Sequence, residues 1–330
     1  MKAIVFDQFG APAVLHAVEL PAPTLTPTTA IVRVEAVAVN HVDTFIRSGA
    51  FQTALATPHV VGRDLVGVVT AVGRDVTTVH VGQRVWTNSA GYEGRPGATS
   101  ELVAVAADRL YPAPDRVAAP VLVAALHPGA PAAIVLSAVM QAKPGQRLLV
   151  EGAAGHVGRA FVTLAHHLGL TVATTSAAAD RAQLAALGST QWQDYHDPLP
   201  AAWRDTFDHV VDTSGRVALQ ANLDALRLGG AVTLITAPAD DRFTFGVRAF
   251  YMAQKRLNGF VISHATAAQL AAAATVLNGA FARGQLLDAP LLVRPFEDAA
   301  WAHATLAAGT HHLGGWHPPP CAHRAGPQPS

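Results

Sequence analysis

The run Gly152-Ala153-Ala154-Gly155-His156-Val157-Gly158 has the residue types and spacing to hold a pyrophosphate. Glycines let the backbone bend sharply and approach a phosphate closely. A helix that opens directly after the turn adds unbonded N–H groups and the positive end of its dipole. Glycine turns also serve merely to join a strand to a helix, so the context decides. Residues 147–151 form a compact apolar run before the turn, residues 157–168 have helical spacing after it, and residues 171–175 make a second strand-like run. That succession is what a dinucleotide turn requires. Gly152, Ala153, Gly155, His156 and Val157 are the expected pyrophosphate contacts.

The end of the second strand reads the nucleotide. An enzyme using NAD places an Asp or Glu there, to bond the ribose hydroxyls. This chain has Thr174-Thr175-Ser176 with Arg181 five residues on. A small hydroxyl and a cation suit a 2′-phosphate, which a carboxylate would repel, so NADPH is the expected cofactor. The alternative is that Ser176 caps the next helix and Arg181 faces water.

The elements around the turn alternate. From about residue 117 to 262, strand runs at 147–151, 171–175, 209–212 and 231–235 are separated by helical segments at 157–168, 181–187 and 218–226. Such alternation implies parallel crossovers and a doubly wound sheet. Residues 1 to about 116 read differently. Short runs at 2–6, 30–38, 66–72, 84–87 and 101–105 are rich in β-branched residues and bounded by Gly, Pro or Asp, which suggests a β-barrel-like module. After 262 come a helix at 267–278, a strand at 291–293 and a short helix near 297–306. The expected layout is a first β-rich part at 1–116, a nucleotide domain at 117–262, a return to the first domain at 263–310, and a His/Pro/Gly-rich tail at 311–330 without packed structure.

Composition narrows the function. Lys+Arg and Asp+Glu are equal at 23 each, which offers no basic surface for nucleic acid. The single cysteine, Cys321, allows no internal disulfide and no cysteine-based zinc site. Asp7 interrupts the start where a signal peptide would need an apolar run. The longest apolar region, 117–140, is broken by Pro120, Pro128 and Pro131, which argues against a membrane span. A cytoplasmic protein is expected.

These features, with Asn40, Asp43, Phe45, Arg47 and Gly49 in one run, Gly62-Arg63-Asp64 ahead of Gly67, Val72-Gly73, Gly82 with Arg84, Gly97 with Glu101, Lys143-Pro144-Gly145 and Leu228-Gly229-Gly230, follow one family pattern. The sequence resembles the zinc-independent quinone oxidoreductases, the zeta-crystallin-like group of the medium-chain dehydrogenase/reductases, over residues 1 to about 308. The resemblance implies an α/β protein with a GroES-like catalytic domain and a Rossmann domain, an acceptor cleft between them, and a homodimer. It also implies cofactor contacts at Tyr195, Ser214, Ile235, Thr236, Phe260, Val261 and Ile262; for Tyr195 and Phe260 plain core packing is the alternative.

Zinc relatives in the same superfamily carry a ligand cysteine where this chain has Asn40, and Gly-His-Glu where it has Gly62-Arg63-Asp64. The histidines show no ligand spacing; His166-His167 and His311-His312 are adjacent and would point apart on a helix. No metal is expected. Without one, the acceptor must itself stabilise added electrons, as quinones and conjugated enones do. Asn40 is the leading active-site candidate, near both acceptor and cofactor, since its amide can donate to an oxygen gaining charge. Its bland role is to hold a turn, and Asp43 and Arg47 are expected to pair across it.

The chain departs from the family at several points. Many relatives have tyrosines where Phe45 and Phe51 stand; these keep an apolar acceptor wall and lose a hydroxyl, although Phe45 could equally be core. A Thr-Ala-Tyr/Trp segment is replaced by Ala130-Pro131-Ala132, and the family's C-terminal strand by Leu313-Gly314-Gly315-Trp316, which opens one sheet edge. The expected function is NADPH-dependent reduction of a quinone or similar acceptor. The alternatives are an enone or enoyl reductase, and a non-enzymatic NADPH-binding protein.

Overall fold

The computed structural model describes residues 1–288 and 291–308, with the backbone of Cys321–Arg324. Two compact units divide the chain, Met1–His127 with Thr266–Ser330, and Pro128–Ala265.

In the first unit β1 (Lys2–Val5) pairs antiparallel with β2 (His16–Glu19). The long strand β3 (Thr29–Val39) alternates small and β-branched residues and is buried along most of its length. Next come α1 (His41–Ser48), β4 (Asp64–Val72), β5 (Arg84–Thr87), β6 (Leu102–Ala106), β7 (Tyr111–Pro112) and α2 (Ala119–Ile134), of which the part up to His127 belongs to this unit. β3 binds β4 and β6, and β4 carries β5 and then β7. Ile4, Phe6, Val32, Val34, Leu65, Val85 and Val103 fill the core of this unit.

The second unit is built from β8 (Arg147–Glu151), α3 (His156–His167), β9 (Thr171–Ser176), α4 (Arg181–Ala186), β10 (Ser189–Asp194), β11 (Phe207–Asp212), α5 (Leu219–Ala225), β12 (Leu226–Leu234), α6 (Val247–Met252) and β13 (Arg256–Gly259). Its sheet runs β10-β9-β8-β11-β12-β13 and every pairing is parallel. The apolar runs of β8 and β11 follow from this: central parallel strands are covered on both faces. The order reverses between β8 and β11, where open sheets of this kind bind ligands at the carboxyl ends of their strands.

The chain then returns to the first unit with α7 (Ala267–Ala282), β14 (Leu292–Pro295), α8 (Ala299–Ala308) and β15 (Cys321–Arg324). Thr266 caps α7 by accepting from Gln269 N at 3.1 Å. The Asn278 amide ties the helix down, accepting from Trp86 Nε1 at 3.1 Å and donating to Pro112 O at 2.9 Å.

Three features differ from the sequence reading. Pro128 and Pro131 lie inside α2 instead of ending it, and a π-helical turn, Val135–Val139, follows. Among the described residues, Ala119–Val139 is the one helix long and apolar enough to cross a membrane, and 78% of its 18-residue apolar stretch is buried within the protein. A buried helix keeps its form through prolines because packing holds the dihedrals that the missing N–H bonds no longer enforce. The tail, expected to lack packed structure, supplies β15 at Cys321–Arg324, antiparallel to Val39–Ala36 of β3 and parallel to β14. Strand pairing uses backbone groups, so an open edge on β3 accepts a segment whose side chains carry no strand pattern. The replaced segment from Leu313 to Trp316 and His311-His312 lie outside the described residues. Finally α1, β10 and β13 are elements that the hydrophobic pattern did not mark.

Candidate functional site

The glycine turn starts where β8 ends. Gly152 has φ +67°, a conformation that side chains rarely adopt, and an added Cβ would meet Thr213 Oγ1 at 2.7 Å. Gly158 has a different constraint: a Cβ there would stand 2.4 Å from Gly152 O and 2.7 Å from Ala153 Cα. The first turn of α3 therefore packs directly on the glycine loop. Gly155 is the N-cap of α3 in extended conformation, without a side-chain cap, and His156 and Val157 open the helix. The first turn of a helix presents N–H groups that have no acceptor four residues back, the donors an anion would meet. Thr175 fastens the loop from β9, its carbonyl accepting from Ala153 N at 3.1 Å.

The residues proposed for the 2′-phosphate come together at the end of β9. Ser176 is buried, its hydroxyl donates to Ala177 O at 3.0 Å, and it accepts from Trp192 Nε1 at 2.9 Å. Arg181 opens α4 with its guanidinium 5.2 Å from the Trp192 ring centroid. Ser176 does not cap the following helical turn, whose N-cap is Ala177. Trp192, which orients both, escaped the sequence reading because β10 has no alternating pattern. Tyr195 is 40% exposed, which removes the core reading for it; it lies against His196, with Arg216 over its ring at 5.9 Å. Ser214 is held by Asp212 Oδ1, which takes its N–H at 2.8 Å and its hydroxyl at 2.9 Å. Ile235 and Thr236 follow β12, with Ile235 N bonded to Asp212 O. Phe260 N bonds Leu234 O, Val261 is exposed and Ile262 is buried.

Beneath the turn lies an acidic pair that sequence reasoning missed. Glu151 and Asp212 are partners across β8 and β11, and both are fully buried. Burial, then the neighbouring Asp212, push the Glu151 carboxyl well above the ordinary carboxylate range, against the Asn222 amide that donates to Glu151 Oε2 at 2.7 Å. A protonated Glu151 leaves less negative charge below a loop suited to an anion. Adjacent parallel strands that both end in a carboxylate were the available signal.

In the first unit Asn40 is the N-cap of α1. Its N–H donates to Asp43 Oδ2 at 2.7 Å, and its side-chain amide donates to Asp64 Oδ2 at 2.6 Å. The expected Asp43–Arg47 pair does not form. Asp43 turns back to the helix start, where an acid at N3 satisfies a free N–H, and the buried Arg47 guanidinium donates to the Gly10 carbonyl. Asp64 is fully buried and its Oδ1 faces His127 Nδ1 of α2 at 3.5 Å. Burial, then the Asp64 charge, raise the Asp43 carboxyl to about 7, opposed by the Asn40 N–H bond and the charges of His127 and Arg63. Arg63 is itself buried, 5.0 Å from the centroid of the Tyr92 ring. Tyr92 in turn stacks on Phe51 at 5.8 Å. Phe45 is 50% exposed on α1, so it is not core.

Zinc can be tested against these side chains. Where zinc relatives place cysteine and histidine ligands, this unit has an amide already bound to a carboxylate and a buried guanidinium. A cation among the donors excludes a second one, so the residues present do not fit the metal. Among the described residues no three His, Cys, Asp or Glu form a metal-binding group.

A β-rich unit with a separate six-stranded parallel nucleotide sheet defines a two-domain dehydrogenase. Residues 26–115 match the alcohol dehydrogenase GroES-like domain, and residues 157–276 the family described as zinc-binding dehydrogenase. A quinone oxidoreductase of Pseudomonas aeruginosa is 30% identical over 232 residues, 68% of this chain and 70% of that protein. A 2-haloacrylate reductase of a Burkholderia species is 30% identical over 247 residues, 70% of this chain and 71% of that protein. A mycobacterial protein solved in complex with NADPH is 28% identical, with a TM-score of 0.78 over 98% of this chain and 100% of that one. The chain belongs to the zeta-crystallin-like quinone oxidoreductase family of the medium-chain dehydrogenase/reductases, a family of oxidoreductases.

Proposed function

We propose that the protein is an NADPH-dependent reductase of quinones or related conjugated acceptors, and that it works without zinc. The observation that carries the cofactor reading is the group at the end of β9, where Ser176, Trp192 and Arg181 stand in place of a ribose-binding carboxylate. The NADPH-bound relative supports it. The turn keeps the tight backbone path of a dinucleotide loop, since a Cβ at Gly152 or Gly158 would collide with Thr213 or with the loop's own backbone. NADPH, when bound, supplies a hydride.

The protein's own contribution is to bind and orient. The first turn of α3 holds the pyrophosphate with N–H groups, and Arg181 faces the 2′-phosphate with a charge-assisted bond. Tyr195 and Ser214 flank the adenosine end, while Ile235, Thr236, Phe260, Val261 and Ile262 line the nicotinamide end. Asn40 presents its remaining amide N–H to the acceptor oxygen as negative charge develops there. The Asp64 carboxylate fixes the direction of that amide. Phe45 and Phe51 give the acceptor an apolar wall.

An enone or 2-haloacrylate substrate is the second reading, favoured by the Burkholderia relative. Purified protein assayed for NADPH oxidation with a quinone panel and an enone panel separates the two: turnover only with enones would sink the quinone reading. The same proposal has the protein acting in the cytoplasm as a homodimer. Val247, Tyr251 and Met252, all more than 60% exposed beside the edge strand β13, support a second copy there. Light scattering on the purified protein tests the dimer; a monomer mass at micromolar concentration would refute it.

A further inference from the structure

Reduction by hydride leaves a charge to be neutralised. A quinone that accepts H⁻ becomes a hydroquinone monoanion, and an enone becomes an enolate; each needs one proton to reach product. The family's tyrosine positions hold Phe45 and Phe51 in this chain, so no phenol stands there to give one.

We propose that His127 is the proton donor to the reduced acceptor, with Asp64 as the residue that positions it beside Asn40. This rests on the reductase reading above and names a second working group within the same site.

The geometry supports it as follows. Asp64 is 0% exposed, and a carboxylate so placed must share its lone pairs with nearby donors. Oδ2 takes the Asn40 amide at 2.6 Å and Oδ1 faces His127 Nδ1 at 3.5 Å. The carboxylate thus bonds the amide that would hold the acceptor oxygen through Oδ2, while Oδ1 and His127 Nδ1 face each other beyond hydrogen-bond reach, each without a hydrogen-bond partner. With Nδ1 toward Asp64, Nε2 points away from the carboxylate, the orientation in which an imidazole passes a proton outward. The His127 side chain keeps 12% of its surface, whereas Asp64 keeps none, so the imidazole is where this network meets its surroundings.

The charged groups facing the ring are Asp64 from β4 and Asp43 from α1; Arg63, from the segment before β4, faces those two carboxylates and lies over Tyr92, as does Arg95. The transfer balances. The imidazolium Nε2–H bond breaks and an O–H bond forms on the hydroquinone anion (a C–H bond at the α-carbon for an enolate). Neutral His127 then regains its proton from water.

The test compares wild type with His127→Gln, which keeps a donor toward Asp64 but cannot ionise, and His127→Ala. NADPH affinity, measured by fluorescence titration, is expected to stay within about twofold. Turnover with the quinone is expected to fall ~10²–10⁴-fold. Wild-type kcat/KM loses rate as pH rises through one ionisation that both variants lack, and added imidazole restores His127→Ala. Without nucleotide, hydroquinone added to protein carrying ¹⁵N-histidine shifts the His127 ring resonances, assigned by their loss in His127→Gln. Folded variants with an unchanged pH profile and near wild-type rate would overturn the proposal alone, as would His127 resonances that ignore hydroquinone. Should His127→Gln fail to fold, the hydroquinone titration of wild type and the imidazole rescue of His127→Ala decide. A wild type that binds NADPH but reduces neither panel removes the reductase reading, and this proposal with it.

Discussion

Asp43→Asn isolates the cost of the buried carboxyl at the start of α1. Asp43 is 2% exposed and its carboxyl is raised to about 7 from an ordinary 3.8. The folded state therefore holds a proton that the unfolded chain releases, and stability falls as pH climbs from about 4 through about 7. A difference of roughly three pH units corresponds to ~4 kcal/mol at the upper limit. Asparagine keeps an oxygen for the Asn40 N–H and carries no charge at any pH. Its weaker hydrogen bond costs about 1 kcal/mol. At pH 4 and below the variant is therefore expected to match wild type or fall slightly below it, and by pH 5 to equal or slightly exceed it. At pH 8 it should be more stable by about 2–3 kcal/mol, the surplus of the removed ionisation penalty over the lost bond. Urea unfolding of both proteins at several pH values reads the difference, since all other titrating groups are common to the pair. Parallel stability curves would refute the reasoning, because they would mean that Asp43 ionises as readily folded as unfolded.

Other consequences follow from the nucleotide unit. Gly158→Ala drives a methyl into Gly152 O and Ala153 Cα, so a loss of about 1–3 kcal/mol in thermal or urea stability is expected, together with weaker NADPH binding. Arg181→Ala is expected to weaken NADPH by ~10–100-fold, the worth of a charge-assisted bond, while leaving NADH affinity unchanged; an unaltered NADPH/NADH ratio would remove Arg181 from the phosphate site. Glu151→Gln mimics the protonated acid beneath the turn. Because the Glu151 carboxyl is raised above its ordinary 4.5, wild type loses stability as pH climbs from about that value, and the variant should lose less of it. Equal losses in urea melts from acid to alkaline pH would contradict that.

Much of this was legible in the sequence where local pattern and fold agree. β8 and β5 have the bounds their apolar runs suggest, and the glycine turn sits between strand and helix as its spacing requires. The Thr174–Ser176 strand end and Arg181 converge because α4 starts immediately beyond β9. Legibility failed where tertiary pairing replaced pattern. β10 and β13 are the two edge strands of the parallel sheet, are only partly buried, and so carry no apolar alternation. β15 exists through backbone bonds to β3. α1 is two turns long, with Asn40, Asp43 and Gly49 as its cap signals and only Val42, Phe45 and Ile46 at helical spacing, too short a run to stand out beside the strands.

The candidate site divides along the same line. Asn40 could be chosen from its chemistry, but its attachment to Asp64, 24 residues away, and the approach of His127 depend on strand register and on a helix that runs through two prolines. Charge patterning suggested an Asp43–Arg47 pair because the two are one helical turn apart. The helix start took the acid, and the carbonyl of Gly10 took the base. Short-range spacing cannot weigh an unsatisfied N–H against an ion pair, and here the N–H prevailed.

The central claim is NADPH-dependent reduction without a metal. Its most direct test is steady-state oxidation of NADPH and of NADH with one reactive quinone, each with and without a strong zinc chelator. The account predicts turnover that prefers NADPH at least tenfold in kcat/KM and is untouched by the chelator. Equal use of NADH, or activity that the chelator abolishes and zinc restores, would contradict it.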